Sequence, residues 1–262
     1  MADVLELCDL NYAEAMRELC RRAGGTVLDE GGVLLFAGTH PLPALVNGVV
    51  RMDPHVPAAE VLERAAAFFS ARGRGYSVLV RAHCDTDLRR FVEERGLTAF
   101  GNSPGMVLDR RLPDASPPPG VRLRRVSNGA DTAAFADVMG KAYASLGMPP
   151  DVAPAILCWP EILIAPHIVS FLALLEDGTP AGGAMTIVTH GVAGVYWVGT
   201  IPEARGRGLA EFCTRVAGNA GFDLGARIAA LQASVMGEPV YRRMGYVEVT
   251  RYPYFVVFAG GS

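Results

Sequence analysis

Val195-Tyr196-Trp197-Val198-Gly199-Thr200-Ile201-Pro202-Glu203-Ala204-Arg205-Gly206-Arg207-Gly208-Leu209-Ala210 leads from a strand, through a turn with two glycines, into a helix. Its first seven residues are rich in β-branched and aromatic side chains, the composition of a strand. Beyond the turn, Leu209, Phe212, Cys213, Val216, Ala217 and Ala220 recur at helical spacing and form one apolar face. Gly206 and Gly208 permit positive φ, so several backbone N–H groups can converge at the positive end of the helix dipole. Such a turn suits a phosphate or diphosphate; a tight connection with no ligand is the alternative. A Walker-type loop needs Lys and then Ser or Thr after its last glycine, where this chain has Leu209-Ala210. A dinucleotide fingerprint needs Gly or Ala at Glu211 and belongs in the first βαβ unit of its fold, whereas this turn comes late.

Downstream, Arg227–Ser234 reads as a second strand. Met236-Gly237-Glu238-Pro239-Val240-Tyr241-Arg242-Arg243-Met244-Gly245-Tyr246 follows as a short helix. Pro239 suits its first position and Gly245 the left-handed residue that ends it. Tyr246–Val249 and Tyr254–Val257 read as two closing strands.

Strand, Arg-Gly-x-Gly-x-Ala turn, helix, strand and Tyr-x-x-x-Gly-Tyr in that order resemble the GNAT superfamily of acyl-CoA-dependent N-acetyltransferases. The motifs lie in Val198–Ala210 and Tyr241–Tyr246, and the order of elements agrees over about Val121–Val257. The resemblance implies an acetyl-CoA-dependent acyltransferase that moves an acetyl group to a primary amine of a small molecule by direct attack on the thioester. It implies that Val198, Gly199 and Thr200 contact the pantetheine arm. Arg205, Gly206, Arg207, Gly208, Leu209, Ala210 and Glu211 then form the diphosphate turn. An Asn common in the family is replaced by Ser234, whose hydroxyl would have to take over its bond to pantetheine. The same likeness makes Val198 the backbone donor to the carbonyl oxygen and Tyr241 the general acid for the leaving thiolate. With a pKa of about 10 against about 8.5 for a thiol, a tyrosine is protonated at neutral pH and can hydrogen-bond a thiolate.

A base for the incoming amine is harder to read. Glu161, His167, His190, Tyr196 and Gln232 are candidates by location, and Glu161, after Cys158-Trp159-Pro160, is the one chosen. Water chains can also remove the proton without a dedicated side chain. Tyr143, Met148, Trp159 and Tyr196 could form a partly apolar acceptor wall. A non-catalytic acyl-CoA-binding or sensing protein is the competing reading, and a structural or interaction protein a third.

Composition narrows the classes. Half the residues are hydrophobic and the net charge is −3, so there is no nucleic-acid footprint. Lys141 is the one lysine among many arginines, and Arg122-Leu123-Arg124-Arg125 reads as a solvated strand edge. Five cysteines without a Cys-x-x-Cys pair argue against a disulfide framework and offer no metal-site spacing. No leader or membrane-spanning run is seen, which points to a cytoplasmic protein without metal, nucleic-acid or membrane partners. A homodimer is left open.

The fold class expected is α/β (α+β), in two GNAT-like domains, each a mixed, largely antiparallel sheet flanked by helices. Pro113-Asp114-Ala115-Ser116-Pro117-Pro118-Pro119-Gly120 reads as the boundary, giving domains 1–115 and 121–262 with a Pro-rich linker at 116–120. In the second domain, Asn128 with Asp131 opens a helix bearing Phe135, Val138, Met139, Ala142 and Leu146 on one face. Strands at Ile168–Leu175, Ala181–Thr189 and Val195–Ile201 follow. The first domain repeats the order with strands at Val33–Phe36, Leu45–Met52 and Tyr76–Arg81, helices at Ala58–Ala71 and Asp85–Arg95, and a strand around Met106–Leu108. In place of the glycine turn it has Met52-Asp53-Pro54-His55-Val56-Pro57, where two prolines remove donors and Asp53 would repel a diphosphate. It is expected to be degenerate and to bind no cofactor; an unrelated α/β cap domain is the alternative.

Overall fold

The computed structural model describes residues 2–260. It divides into two compact units that are not consecutive halves: Met16–Gly105 with Glu248–Ser262, and Met1–Ala15 with Met106–Val247. The chain therefore passes between units at three places, none of them the proline run. Among the described residues no helix is long and apolar enough to cross a membrane.

The first helix, α1 (Ala2–Arg22), was not expected from the sequence. Cys8, Asn11, Ala15 and Leu19 form its buried stripe at three- and four-residue spacing. The Met16–Gly105 unit continues with β1 (Thr26–Glu30), β2 (Val33–Ala37), β3 (Asn47–Arg51), α2 (Ala58–Ser70), β4 (Tyr76–Leu79), α3 (Thr86–Glu93) and most of β5 (Ala99–Leu108). Strands β1, β2 and β3 form an antiparallel meander, and α2 then carries the chain to β4, parallel to β3. Val61, Ala65, Phe68 and Phe69 of α2 share one core with Leu35, Val49 and Val78 of the sheet, and Phe69 stacks on Tyr76 at 4.6 Å.

Three strands differ from expectation, of which β1 was not suggested by the sequence at all. The final one, β11 (Val247–Val257), is continuous through Pro253 rather than two short strands. Pro253 has no N–H, but the bond at that point needs only its carbonyl, which accepts from Val80 N–H at 2.9 Å. Strand β5 starts seven residues before Met106, through Gly101 and Gly105. A Cβ at those glycines would lie 2.3 Å from the Tyr254 ring and 2.6 Å from the Tyr252 ring, so loop-like composition here reflects aromatic rings laid over bare backbone.

The other unit contains β6 (Val121–Arg125), α4 (Gly129–Ala144), α5 (Val152–Leu157), α6 (Pro160–Leu163), β7 (Ile168–Leu175), β8 (Pro180–Thr189), β9 (Val192–Thr200), α7 (Leu209–Asp223), β10 (Ile228–Gln232) and α8 (Glu238–Met244). Asn128 caps α4 as expected, accepting from Asp131 N–H at 3.0 Å. Strands β6 to β9 are antiparallel neighbours, and α7 leads to β10, parallel to β9. Meander, helix and parallel strand thus occur in both units. The proline run belongs to this unit as a strap along α7: Asn219 exchanges two 3.0 Å bonds with the Leu112 backbone, and Arg215 donates to Pro113 O at 3.1 Å.

Candidate active site

The site starts from the way β9 leaves its neighbours. Its pairing with β10 ends at Ala230↔Gly194, although β9 continues to Thr200, so the two strands part. On the other edge, Tyr196 pairs with Met185 and Gly199 with Gly183, which sets Trp197 and Val198 opposite Ala184 alone. This is a β-bulge, whose extra residue lacks a ladder partner. Trp197 has φ +49°, a conformation costing roughly 1–2 kcal/mol for a residue with a Cβ. Strain of this kind, next to an opening between strands, is a feature of functional sites.

The glycine turn follows. Gly206 has φ +75° and Gly208, at the N-cap of α7, φ +79°. The first bond of the helix runs from Phe212 N–H to Gly208 O at 3.0 Å. The N–H groups of Gly206, Arg207, Gly208, Leu209, Ala210 and Glu211 have no protein acceptor among the described residues. A row of free donors at a helix start has the charge and the geometry to receive an anion. Glu211 does not oppose it with a free carboxylate, because Arg215 pairs with it at 3.1 Å.

Between β9, α4, α7 and α8 lies a cleft of about 430 Å³. Val198, Gly199, Thr200, Arg205, Gly206, Gly208, Leu209, Ala210, Glu211, Ser234 and Tyr241 line it, so the structure brings together most of the residues singled out in the sequence. Arg205 crosses its edge, donating to Thr200 O at 3.4 Å, Ala142 O at 3.2 Å and Ser145 Oγ at 2.5 Å. Ser234 Oγ accepts from Gly237 N–H at 3.1 Å, which leaves its O–H to face a ligand. Tyr241 sits in α8, whose C-cap Gly245 has φ +96° as the sequence implied. Burial raises the Tyr241 phenol to about 12, opposed by the Thr214 hydroxyl beside it. The phenol is therefore neutral at every physiological pH.

Other expected residues fall outside. Arg207 is turned away from the cleft toward Pro119 O at 3.4 Å, leaving only its backbone N–H in the turn. Glu161 is exposed in the first turn of α6 and does not line the cleft, nor do His167, Gln232, Met148 and Trp159. His190, with φ +52°, forms the β8–β9 hairpin turn with Gly191. Tyr196 is committed to α1, donating to Asn11 Oδ1 at 2.7 Å.

Sequence reading missed Ala142, Leu146, Met236, Gly237, Val240 and Arg243, all of which line the cleft. A signal for the α4 residues existed in Gly199, a glycine inside a strand, which marks close approach of another element. A Cβ there would lie 2.8 Å from Met139 Sδ and 2.9 Å from Ala142 Cβ, so its absence is what lets α4 close on β9.

No protein-family model and no curated protein matches the sequence. Solved structures do. A GCN5-related N-acetyltransferase from Kribbella flavida superposes with TM-score 0.73 at 23% identity, over 97% of this chain and 96% of that one. The chain has the GNAT fold. A second GCN5-related N-acetyltransferase, from Sphaerobacter thermophilus, gives TM-score 0.58 at 17% identity over 88% and 82% of the two chains. A tandem GNAT protein from the clavulanic acid biosynthesis pathway gives 0.59 at 13% over 90% and 82%.

Proposed function

We propose that this protein is an acetyl-CoA-dependent N-acetyltransferase acting on a primary amine of a small molecule. The observation that carries the reading is the row of six unpaired N–H groups from Gly206 to Glu211 beside a cleft that runs to a strained bulge. Those residues fit the diphosphate of coenzyme A, and Val198, Gly199, Thr200 and Ser234 would hold the pantetheine arm. Acetyl-CoA would supply the activated thioester. The amine nitrogen, once neutral, bonds to the thioester carbon and the C–S bond breaks. Val198 N–H would stabilise charge developing on the carbonyl oxygen. Tyr241 O–H would protonate the leaving sulfur, while the proton of the amine passes to water, with no role for Glu161 in the cleft.

A sensor that binds acyl-CoA without turnover is the second reading. It is favoured by one feature: Glu211, the acidic side chain in the cleft lining, is already paired with Arg215. Thiol release from acetyl-CoA, measured against a panel of alkyl- and arylamines, separates the two. Turnover on any amine supports the enzyme; tight acetyl-CoA binding with no release on every amine supports the sensor.

We propose further that the Met16–Gly105 unit is a degenerate GNAT-like domain. It has the same meander, helix and parallel strand, but the turn after β3 is closed. Met52 and Asp53 N–H donate to Gly32 O at 2.8 and 3.0 Å, and His55 N–H to Asp53 Oδ1 at 2.9 Å. Arg51, at the end of β3, is fully buried against Asp85 at 2.9 Å and Asp87 at 2.6 Å. A turn whose donors are used internally has none to offer a diphosphate.

A further inference from the structure

The two groups assigned above to the thioester, Val198 N–H and Tyr241 O–H, share the cleft lining with one further aromatic side chain. Tyr143, in the last turn of α4, lines the cleft. Its ring packs at 5.2 Å, tilted 51°, on Trp197, the bulge residue that precedes Val198. It is also close enough to Tyr241 for that phenol to make ionisation of Tyr143 costlier, after the larger effect of burial. Tyr143 therefore lines the same cleft as Val198 and Tyr241 and packs on the residue next to Val198. Neither side of it yields easily. Trp197 is held by the bulge, and α4 is seated on Gly199 with no room for even a Cβ between them.

We infer that Tyr143 is a specificity-determining residue that closes the thioester end of the cleft and restricts the donor to short acyl groups of two or three carbons. The inference rests on the acyl-CoA reading and adds which acyl chain the site admits. A longer chain leaving the thioester would have to displace the Tyr143 ring from Trp197. The ring itself, and not its hydroxyl, does the excluding.

Calorimetric titration of the full chain with coenzyme A, acetyl-CoA, butyryl-CoA and hexanoyl-CoA tests this without needing the acceptor. Wild type is expected to bind coenzyme A and acetyl-CoA comparably and hexanoyl-CoA at least about tenfold more weakly, the loss of a few buried methylenes' worth of affinity. Tyr143→Phe should keep that ranking. Tyr143→Ala should reverse it, with a gain of up to about fourfold for each methylene accommodated, read relative to the same variant's affinity for coenzyme A. Tyr143→Leu, which keeps more of the packing, should narrow the gap and decides the matter if the alanine variant does not fold by circular dichroism. Equal binding of acetyl- and hexanoyl-CoA by wild type overturns the gate. So does a folded Ala or Leu variant with the wild-type ranking, or a Phe variant that loses it. Failure of wild type to bind coenzyme A at all would overturn the acyl-CoA reading and the gate together; intact coenzyme A binding with an unchanged ranking overturns the gate alone.

Discussion

Gly206→Asp should separate the contributions of shape and charge at the glycine turn. Nothing lies within 4 Å of a Cβ built on Gly206 beyond its chain neighbours, so the new Cβ has open space. Two costs remain. The φ of +75° is unfavourable for a residue with a Cβ by about 1 kcal/mol, less for Asp and Asn than for others. The second is charge. At about 4 Å a unit pair repels by about 1 kcal/mol in bulk water and about 4 kcal/mol at the effective dielectric of a protein surface. For an exposed turn facing a diphosphate, about 2–4 kcal/mol follows, or a Kd for coenzyme A raised roughly 30- to 1,000-fold. Gly206→Asn has the same shape and tolerance of positive φ without the charge, and should stay within about fivefold of wild type. Titration calorimetry at low salt reads the difference between the two variants. In 1 M salt, where the screening length is about 3 Å, that difference should shrink. Equal affinities of the Asp and Asn variants at low salt would refute the placement of an anion at this turn.

Tyr241→Phe should leave the Kd for coenzyme A within about twofold and slow thiol release by about 100-fold, as expected for loss of a general acid; an unchanged rate removes the phenol from the chemistry. Because the Tyr241 pKa is raised to about 12 in the fold, its stabilising effect is complete below pH 10 and is lost as pH rises from about 10 to 12. Thermal melts should therefore fall over that window in wild type and fall less in Tyr241→Phe. Asp85→Ala takes one of two carboxylates from the buried guanidinium of Arg51, leaving it Asp87, and removes the Asp85 bonds to Arg81, and should cost about 3 kcal/mol in denaturant unfolding. Asn11→Ala leaves the Tyr196 hydroxyl and the carbonyls of Ile187 and Val192 without their side-chain partner, and should cost about 2–4 kcal/mol.

What could be read from sequence was local in origin. The Gly206–Gly208 turn, the Asn128 cap and the Gly245 helix end each depend on one or two residues whose backbone requirements are specific. The strand before α7 was legible because its side chains are β-branched and aromatic, and the one after it as a short apolar run. Three things were not legible. Helix α1 has a buried stripe broken by Asn11, whose amide is satisfied by residues some 180 positions away. The α4 side of the cleft depends on which helix packs on Gly199, a long-range fact that a glycine in a strand can signal but not specify. The exchange of chain ends between the units has no local signature, whereas a run of prolines has a strong one. Here that run is held along α7 by Asn219 and Arg215 and marks no boundary.

The most direct measurement is a crystal structure of the full chain with coenzyme A. The account predicts diphosphate oxygens about 3 Å from the main-chain nitrogens between Gly206 and Glu211, and the sulfur beside Tyr241. A diphosphate ordered anywhere else, or density for coenzyme A absent at saturating concentration, would contradict it.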